Sequence, residues 1–391
     1  MKKGVPLLLA GLWLIIFGLL AVYSVSIYES FELTRKYTNI FSEITNYYYF
    51  SKQIKVLCVA LLAVLILWKI PFQRIKNHTF ASISVIIGWL VQLLVFIPKL
   101  AVGGDEGLNG ARGRIKLLGY SFQPVELFKL TFVFFLSSRL IRKKADIWNP
   151  WFIVMFIVIN ALLYAILLFV PDLWSILIMG GSALLMVRFA GLSIKKTASI
   201  LLLGLGAGLC AWFGLSLINS NYNYIQNRFA NFFSSNKKEN QQTVQRQNDQ
   251  AMLAIWWGGF FGQGLGKGLQ KFWNIPEAQS DFIFAAFSEE IGFIWNCILL
   301  GLFIFIFSYS LRYLQSLKDP HSKMLGVGIV SIMMIQTFVH IGVNLDLVPN
   351  TWVTLPFVSS GGTSLIFSCI ELMLLYKIIR SEETEQPLPL K

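Results

Sequence analysis

The chain has 391 residues, of which 55% are hydrophobic and 14% are charged, whereas soluble globular domains carry about 25% charged residues. This composition excludes an ordinary soluble protein and indicates an integral membrane protein. The chain has 33 Lys and Arg against 20 Asp and Glu, and in a membrane protein this excess of positive charge is first a guide to topology. We predict no nucleic-acid partner. The four cysteines and three histidines lack metal-site spacing, so no metal site is predicted.

Ten apolar runs along the chain approach or exceed the length of about 20 residues that a helix needs to cross the hydrocarbon core. They lie at 6–26, 55–71, 79–98, 122–141, 149–170, 172–190, 196–218, 281–311, 323–345 and 357–379. We therefore predict an all-α polytopic membrane protein with about ten transmembrane helices, built as a single membrane domain over residues 1–391.

The distribution of Lys and Arg predicts the orientation of these helices. Both termini and the short loops at 72–78, 142–148, 191–195 and 312–322 carry basic residues, whereas the short loops near Pro171 and at 346–356 carry none. By the positive-inside rule, both termini are cytoplasmic.

A large extracytoplasmic loop, residues 219–280, then joins the seventh and eighth helices. Its first part, Asn219–Gln250, is polar and rich in Asn and Gln, so we expect it to be exposed. Its second part, Trp256–Phe284, is rich in Gly and aromatic residues, and we expect it to pack against the membrane surface.

Ionisable residues inside or at the edge of membrane spans are costly, which makes them candidates for function. Those at the outward ends of helices or in outward loops are Glu126, Lys129, Asp172, Asp281 and the basic cluster Arg112, Arg114 and Lys116. Deeper in the spans lie Glu289, Glu290 and Glu371, whose partners the sequence does not identify. The first set comes from distant parts of the chain yet shares one membrane face.

Each of these candidates also has a structural interpretation. Glu126 and Lys129, three residues apart, can form a buried ion pair that ties helices together. Asp172 and Asp281 each precede a helix and can cap it. The basic cluster can contact lipid headgroups or clamp an anionic, lipid-linked substrate.

Eight segments of the chain, taken in order, match a known set of motifs. They are Asn109–Arg112, Gln123–Lys129, Pro171–Leu173, Gly258–Gly266, Ile275–Phe284, Glu289–Phe293, Gly342–Asn344 and Thr354–Ser364. Together they resemble the SEDS family of polytopic peptidoglycan glycosyltransferases (FtsW, RodA and SpoVE). The last motif and Ala21–Ser26 look more like the division branch, FtsW, than the elongation branch.

The chain departs from the SEDS pattern beside several of its polar positions. Val125 replaces Ser, Trp174-Ser175 replaces Gly-Thr, Gln279-Ser280 replaces His-Thr, and Ser360 replaces Tyr. The acidic and basic positions of the motifs remain.

The resemblance implies polymerisation of lipid II, an undecaprenyl diphosphate-linked disaccharide pentapeptide, at the outer leaflet of the bacterial cytoplasmic membrane. Asp281 would be the general base in an inverting transfer. Arg112 and Lys129 would stabilise the leaving diphosphate, Glu126 would orient Lys129, and Asp172 would shape the cavity or hold a divalent ion. The other substrate-binding candidates are Gln123, Arg228, Lys267, Glu277, Ser359, Gly361 and Gly362.

The resemblance also implies partners: a class B penicillin-binding transpeptidase and other divisome or elongasome membrane proteins. The sequence requires no cofactor, although the binding of a Mg²⁺ or Mn²⁺ ion that bridges the diphosphate remains an open alternative. Two other functions compete with polymerisation. The polar groups could serve a lipid II flippase or transporter, or the chain could be a division scaffold without catalysis.

Overall fold

The computed structural model describes residues 3–36, 44–97, 101–102, 113–117, 120–142, 158, 172–204, 206, 242–273, 275, 277–349 and 353–385. In chain order its elements are α1 (Val5–Val25), α2 (Ile27–Lys36), α3 (Tyr48–Lys69), α4 (Phe72–Ile75), α5 (His78–Leu93), β1 (Ala101–Val102), β2 (Arg114–Leu117), β3 (Tyr120–Phe122), α6 (Pro124–Arg142), α7 (Leu173–Phe189), α8 (Gln242–Gly258), α9 (Gln270–Trp273), α10 (Ile283–Ser316), α11 (Pro320–Asn344) and α12 (Gly362–Glu385). Residues 194–204 are also helical.

The predicted class of helical, polytopic membrane protein is confirmed. Six of the described helices are long and apolar enough to cross a membrane: Val5–Val25, Tyr48–Lys69, His78–Phe96, Ile283–Ser316, Pro320–Asn344 and Gly362–Ser381. Helices α6 and α7 coincide with two further predicted spans. Apart from Val158, the predicted span at 149–170 lies outside the described residues, as does most of the span at 196–218.

Local sequence explains where several helices begin. Asn77 caps α5 by accepting a hydrogen bond from Thr79 N at 3.0 Å. Asp319 caps α11 by accepting from His321 N at 3.2 Å and Ser322 N at 3.1 Å, with proline at the first helical position. These caps satisfy first-turn N–H groups that otherwise lack a partner within the helix.

Helices α1 and α12 pack antiparallel along their length. A side chain at Gly4 would meet the Tyr376 ring, and one at Gly18 would clash with the Phe357 carbonyl. The start of α1 therefore lies beside the end of α12, which places both ends of the described chain at one end of the bundle. Lys377 Nζ also donates to Ile70 O at 2.6 Å, so the basic loop after α3 lies at that end, as the charge pattern predicts.

A small antiparallel sheet, absent from the all-helical prediction, precedes α6. Its strand order is β1-β2-β3, with Ile115 opposite Phe122, and Ile115 is buried against Val95. Strands of two to four residues are too short for a periodic pattern to reveal. The sheet leads the chain directly to Gln123, at the start of α6.

Helix α10 is interrupted at Gly292, whose φ of 75° and ψ of −177° suit glycine alone. The Gly-rich segment, residues 258–269, packs at this break. Phe293 N donates to Gly259 O at 2.8 Å, and Gln263 N donates to Glu289 O at 2.9 Å. The segment thus satisfies backbone groups at the break, as the membrane environment demands.

The prediction that Asn219–Gln250 is exposed is wrong at Asn248. Helix α8 begins at Gln242, and Asn248 is buried, donating from Nδ2 to Asp346 Oδ1 at 2.6 Å. Ala251 and Ala254 on the same helix are fully buried. The amide-rich composition concealed a helix because its burial depends on a partner about 100 residues away along the chain.

Candidate functional site

A polar cavity of about 180 Å³ lies at the end of the bundle away from the termini. It is bounded by the first turns of α3 and α12, the end of β3 and the turn that precedes α10. Its lining residues are Tyr49, Lys52, Gln53, Val56, Ser121, Gln123, Glu277, Gln279, Ser280, Thr354, Ser360, Gly361, Gly362, Thr363 and Ser364.

The turn Glu277–Asp281 forms one wall of this cavity and carries Asp281. Ser280 N and Asp281 N both donate to Glu277 O, at 3.0 and 3.1 Å, which closes the turn. Glu277 has a positive φ of 53°, a conformation that costs a non-glycine residue energy and persists where surrounding contacts impose it.

Contacts from the C-terminal motif and from α11 hold this turn in place. Ser359 Oγ donates to Ser280 O at 2.8 Å, and Ser360 N donates to Gln279 O at 2.9 Å. Asn344 Nδ2 donates to Asp281 O at 3.1 Å. The distant motifs of the sequence therefore meet at Asp281, which is 8% exposed.

Asp281 does not cap the helix that follows it. The N-cap of α10 is Phe282, without a side-chain cap, and Asn344 Oδ1 accepts from Ala285 N at 3.0 Å instead. Asp172, in contrast, caps α7 by accepting from Ser175 N at 3.1 Å. The capping interpretation thus fits Asp172 and not Asp281.

Glu126 and Lys129 form a buried ion pair one layer behind the cavity. Lys129 Nζ lies 2.8 Å from Glu126 Oε1 and donates to Gln336 Oε1 at 2.6 Å. Gln336 Nε2 in turn donates to Thr354 O at 3.0 Å, and Thr354 lines the cavity. Lys129 itself is not a lining residue, and its hydrogen bonds to other described residues lead to the cavity through Gln336 and Thr354.

Two further acidic groups lie within electrostatic range of this ion pair. They are Asp172, at the start of α7, and Glu371, in α12. The sequence identified no partner for Glu371. In the structure, Glu371 interacts electrostatically with Lys129.

The remaining predicted site residues fall into four groups. Gln123, Glu277, Gly361 and Gly362 line the cavity, and Ser359 is buried behind it. Lys267 is exposed on the Gly-rich segment and is not among the lining residues. Arg112 and Arg228 lie outside the described residues. Within the described chain, no group of three or more His, Cys, Asp or Glu residues could hold a metal ion.

Sequence reasoning missed three lining residues from the start of α3: Tyr49, Lys52 and Gln53. They belong to no recognised motif. The sequence signal that could have identified them is the presence of polar side chains in the first turns of an otherwise apolar helix, at its outward end.

Glu29, in α2, is another group that the sequence did not single out. It lies beside Glu277 and Gln279, and burial together with the Glu277 charge raises its pKa to about 7. Glu29 therefore changes its charge near neutral pH, directly behind the wall that carries Asp281.

We expect Glu29 to make the thermal stability of the protein pH-dependent. Folding raises the pKa of Glu29 from the ordinary value of 4.5 to about 7, so the folded protein binds this proton more tightly than the unfolded chain does. The resulting stabilisation is complete below pH about 4.5 and is lost as the pH rises through about 7. The melting temperature of the wild type should therefore fall between pH 5 and pH 8, and the Glu29→Gln variant should lack this part of the decrease.

The matched control is Glu32→Gln, in the same helix, where the carboxylate is exposed and lies 3.6 Å from Arg35. This variant should retain the wild-type pH profile. Parallel profiles for wild type and Glu29→Gln would contradict the prediction.

The chain is similar to curated proteins over nearly its whole length. The model of a family described as cell cycle protein, named for FtsW, RodA and SpoVE, matches residues 5–384. The chain is 31% identical over 380 residues to the probable peptidoglycan glycosyltransferase FtsW of Geobacter metallireducens, covering 96% of this chain and 94% of the relative. It is 30% identical over 390 residues to stage V sporulation protein E of Bacillus subtilis, covering 97% and 98%.

Solved structures show the same fold. A chain of a peptidoglycan synthase complex that coordinates polymerization and crosslinking has a TM-score of 0.72 at 20% identity, with 97% of this chain and 98% of that chain covered. The rod shape determining protein RodA of Thermus thermophilus has a TM-score of 0.64 at 21% identity, with 98% and 97% covered. Because the family match extends from residue 5 to residue 384 and the predicted motifs fall within it, the chain belongs to the FtsW/RodA/SpoVE family.

Proposed function

We propose that this chain is a peptidoglycan glycosyltransferase that polymerises lipid II at the outer leaflet of the bacterial cytoplasmic membrane. The observation that carries the proposal is the turn Glu277–Asp281, which main-chain and side-chain contacts from two distant segments hold against a polar cavity. This cavity lies at the end of the bundle opposite the termini, which is the outward end if both termini are cytoplasmic. The similarity to proteins named peptidoglycan glycosyltransferase supports the same reaction class.

In the proposed reaction, Asp281 acts as the general base. Its carboxylate takes the proton from the 4-hydroxyl of the GlcNAc of one lipid II molecule. The hydroxyl oxygen then attacks the anomeric carbon of the MurNAc of a second molecule, inverting its configuration, and undecaprenyl diphosphate leaves with the bonding electron pair. A general base must be in its carboxylate form when the reaction begins, so the proposal requires Asp281 to be ionised before the hydroxyl attacks.

The buried ion pair has a positioning role in this proposal. Lys129 is held by Glu126 and Gln336 and lies behind the lining residues, so we assign it to supporting the Thr354 wall. Direct stabilisation of the leaving diphosphate is then assigned to Arg112. If a Mg²⁺ or Mn²⁺ ion accompanies the diphosphate, Asp172 is the carboxylate from this chain that we would assign to it.

A class B penicillin-binding transpeptidase is the proposed partner. The similarity in fold to a chain of a peptidoglycan synthase complex supports this assignment. Such a partner would cross-link the strands that this chain produces, and other membrane proteins of the divisome or elongasome would recruit the pair.

The alternatives of flippase and scaffold are separated from polymerisation by one experiment. Purified protein is inserted into sealed proteoliposomes that contain fluorescent lipid II, with the cognate transpeptidase present. We expect glycan strands to form on the side that exposes the large loop, without exchange of lipid II between leaflets. Exchange of lipid II without polymer would support transport, and neither activity from folded protein would support the scaffold.

A further inference from the structure

A second cavity lies in the half of the bundle nearer the chain termini. It encloses about 150 Å³ and is bounded by α3, α4, α5, α6 and α12. It shares no lining residue with the polar cavity beside the turn Glu277–Asp281. Eight of its nine lining residues are apolar, and the ninth is Arg74, so we call it the apolar cavity.

The apolar cavity is closed at its floor and open at its rim. On the floor, Leu130 is 5% exposed and Leu374 is 1% exposed. On the rim, Phe80 is 43% exposed, and Arg74 is exposed as well. Ile83, one turn further along α5, is also exposed, as expected on the lipid-facing side of a spanning helix. The cavity therefore opens toward the surrounding lipid.

Contacts within the protein hold the walls of the apolar cavity. The end of α3 is fixed to α12, because Lys377 Nζ donates to Leu67 O and, at 2.6 Å, to Ile70 O. The Phe80 ring packs edge-on against the Phe134 ring, with the two ring centroids 5.8 Å apart. The cavity is thus formed before a ligand binds, which lowers the entropic cost of binding.

The lining of the cavity selects an apolar occupant. A buried water needs about two to four polar partners, and a cavity of similar size lined by Leu, Ile and Phe stays dry and binds benzene. Arg74, at the rim, is the one polar side chain in the lining. In a membrane, the apolar group that reaches such an opening is the acyl chain of a lipid, which is as apolar as a leucine side chain.

The rim of the cavity adds a positive charge. Arg74 and Lys76 both lie in the short segment between the spanning helices α3 and α5, where the hydrocarbon meets the headgroups. Lys76 forms an ion pair with Asp319. Arg74 has no carboxylate within ion-pair distance in the part of the chain that the structure describes. Its planar guanidinium suits the oxygens of a phosphate, so a lipid phosphate can supply this counter-charge.

From the apolar lining, the opening toward lipid and the arginine at the rim, we propose that the apolar cavity binds one anionic phospholipid from the leaflet on the side of the chain termini. One acyl chain lies in the cavity, and the phosphate accepts hydrogen bonds from Arg74. A headgroup with net negative charge is preferred to a zwitterionic one, because the cation of a choline offsets the attraction between the phosphate and Arg74. This site does not depend on the reaction that the chain catalyses.

The test is native mass spectrometry of the purified chain after incubation with equal amounts of dioleoyl phosphatidylglycerol and dioleoyl phosphatidylcholine, whose acyl chains are identical. We expect phosphatidylglycerol to be the lipid preferentially retained. In Arg74→Gln this preference should fall about fivefold, the effect of roughly one basic residue near anionic lipid. The matched control is Arg312→Gln, which removes an exposed arginine on α10 that does not line the cavity, and it should keep the wild-type preference.

A second arm fills the cavity. Ile370→Phe adds volume to a lining residue and should weaken the retention of both lipids about tenfold. Its control, Ile86→Phe, adds the same volume at a position on α5 that is 57% exposed and outside the lining, and it should retain lipid as wild type does. If Ile370→Phe does not fold, as judged by its melting curve, Leu67→Phe takes its place.

Four results would each overturn the proposal. They are equal retention of the two lipids by wild type, an unchanged preference in Arg74→Gln, an equal loss of preference in Arg312→Gln, and unchanged retention in the folded cavity-filling variant. Undecaprenyl phosphate is added as a competitor at the same concentration as phosphatidylglycerol. If it displaces most of the phosphatidylglycerol, the occupant is an isoprenoid lipid and the assignment to a phospholipid is wrong.

Discussion

Replacing Asp281 by asparagine is expected to lower the rate of glycan polymerisation by about 10²–10⁴-fold, the range that a positioned general base contributes. Asparagine has nearly the same shape but cannot accept the proton of the attacking hydroxyl. The turn is held by hydrogen bonds from Ser359, Ser360 and Asn344, and the acceptors of these bonds are main-chain carbonyl oxygens of the turn. The substitution leaves these oxygens in place, so the fold should persist.

The rate is measured as the initial formation of labelled glycan from lipid II. Asp249→Asn is the matched control, because Asp249 is exposed on α8 and has no role in the proposed reaction. This variant should polymerise at the wild-type rate. Wild-type turnover by Asp281→Asn would remove the general-base assignment.

Replacing Lys271 by methionine is expected to destabilise the protein by about 3–5 kcal/mol, the cost of leaving one charge of a buried ion pair without its partner. Lys271 Nζ lies 2.5 Å from Glu290 Oε1, and both side chains are fully buried. Lys271 Nζ also donates to Ser24 O at 2.9 Å, and Ser24 Oγ donates to Glu290 Oε2. The pair therefore ties α9, α10 and α1 together at the break in α10.

The measurement is thermal unfolding of the purified variants in one membrane mimetic. Lys267→Met, four residues earlier in the chain, removes an exposed lysine and should unfold near the wild-type temperature. Adding Glu290→Gln to Lys271→Met should recover part of the loss, because the unpaired charge is then removed. Equal melting temperatures for Lys271→Met and Lys267→Met would contradict the structural role of the pair.

The parts of the fold that the sequence predicted are those encoded locally. Long apolar runs specify spanning helices because every backbone polar group in lipid must be satisfied within the segment. The charge of short loops predicted that the loop after α3 lies at the same end of the bundle as the two chain ends, and the bond from Lys377 to Ile70 O places it there. The motifs also placed Gln123, Glu277, Gly361 and Gly362 among the candidates that the structure brings to one cavity.

The features that escaped prediction depend on partners distant in the chain or on very short elements. The sequence does not identify Lys271 as the partner of Glu290, because the two residues meet only when the Gly-rich segment packs at the break in α10. Glu29 and Lys52 approach the cavity from helices that carry no recognised motif. The pairing of β1 with β2 joins strands of two and four residues, which carry too little periodicity to be predicted.

The measurement that tests the central claim most directly is the analysis of the linkage formed when the purified chain, with its cognate transpeptidase bound, acts on labelled lipid II. Inverting transfer from the α-linked diphosphate donor predicts a ladder of β-linked strands that lysozyme digests. A ladder of α-linked strands, or no ladder from folded and partner-bound protein, would contradict the claim that this chain polymerises lipid II by direct inverting transfer.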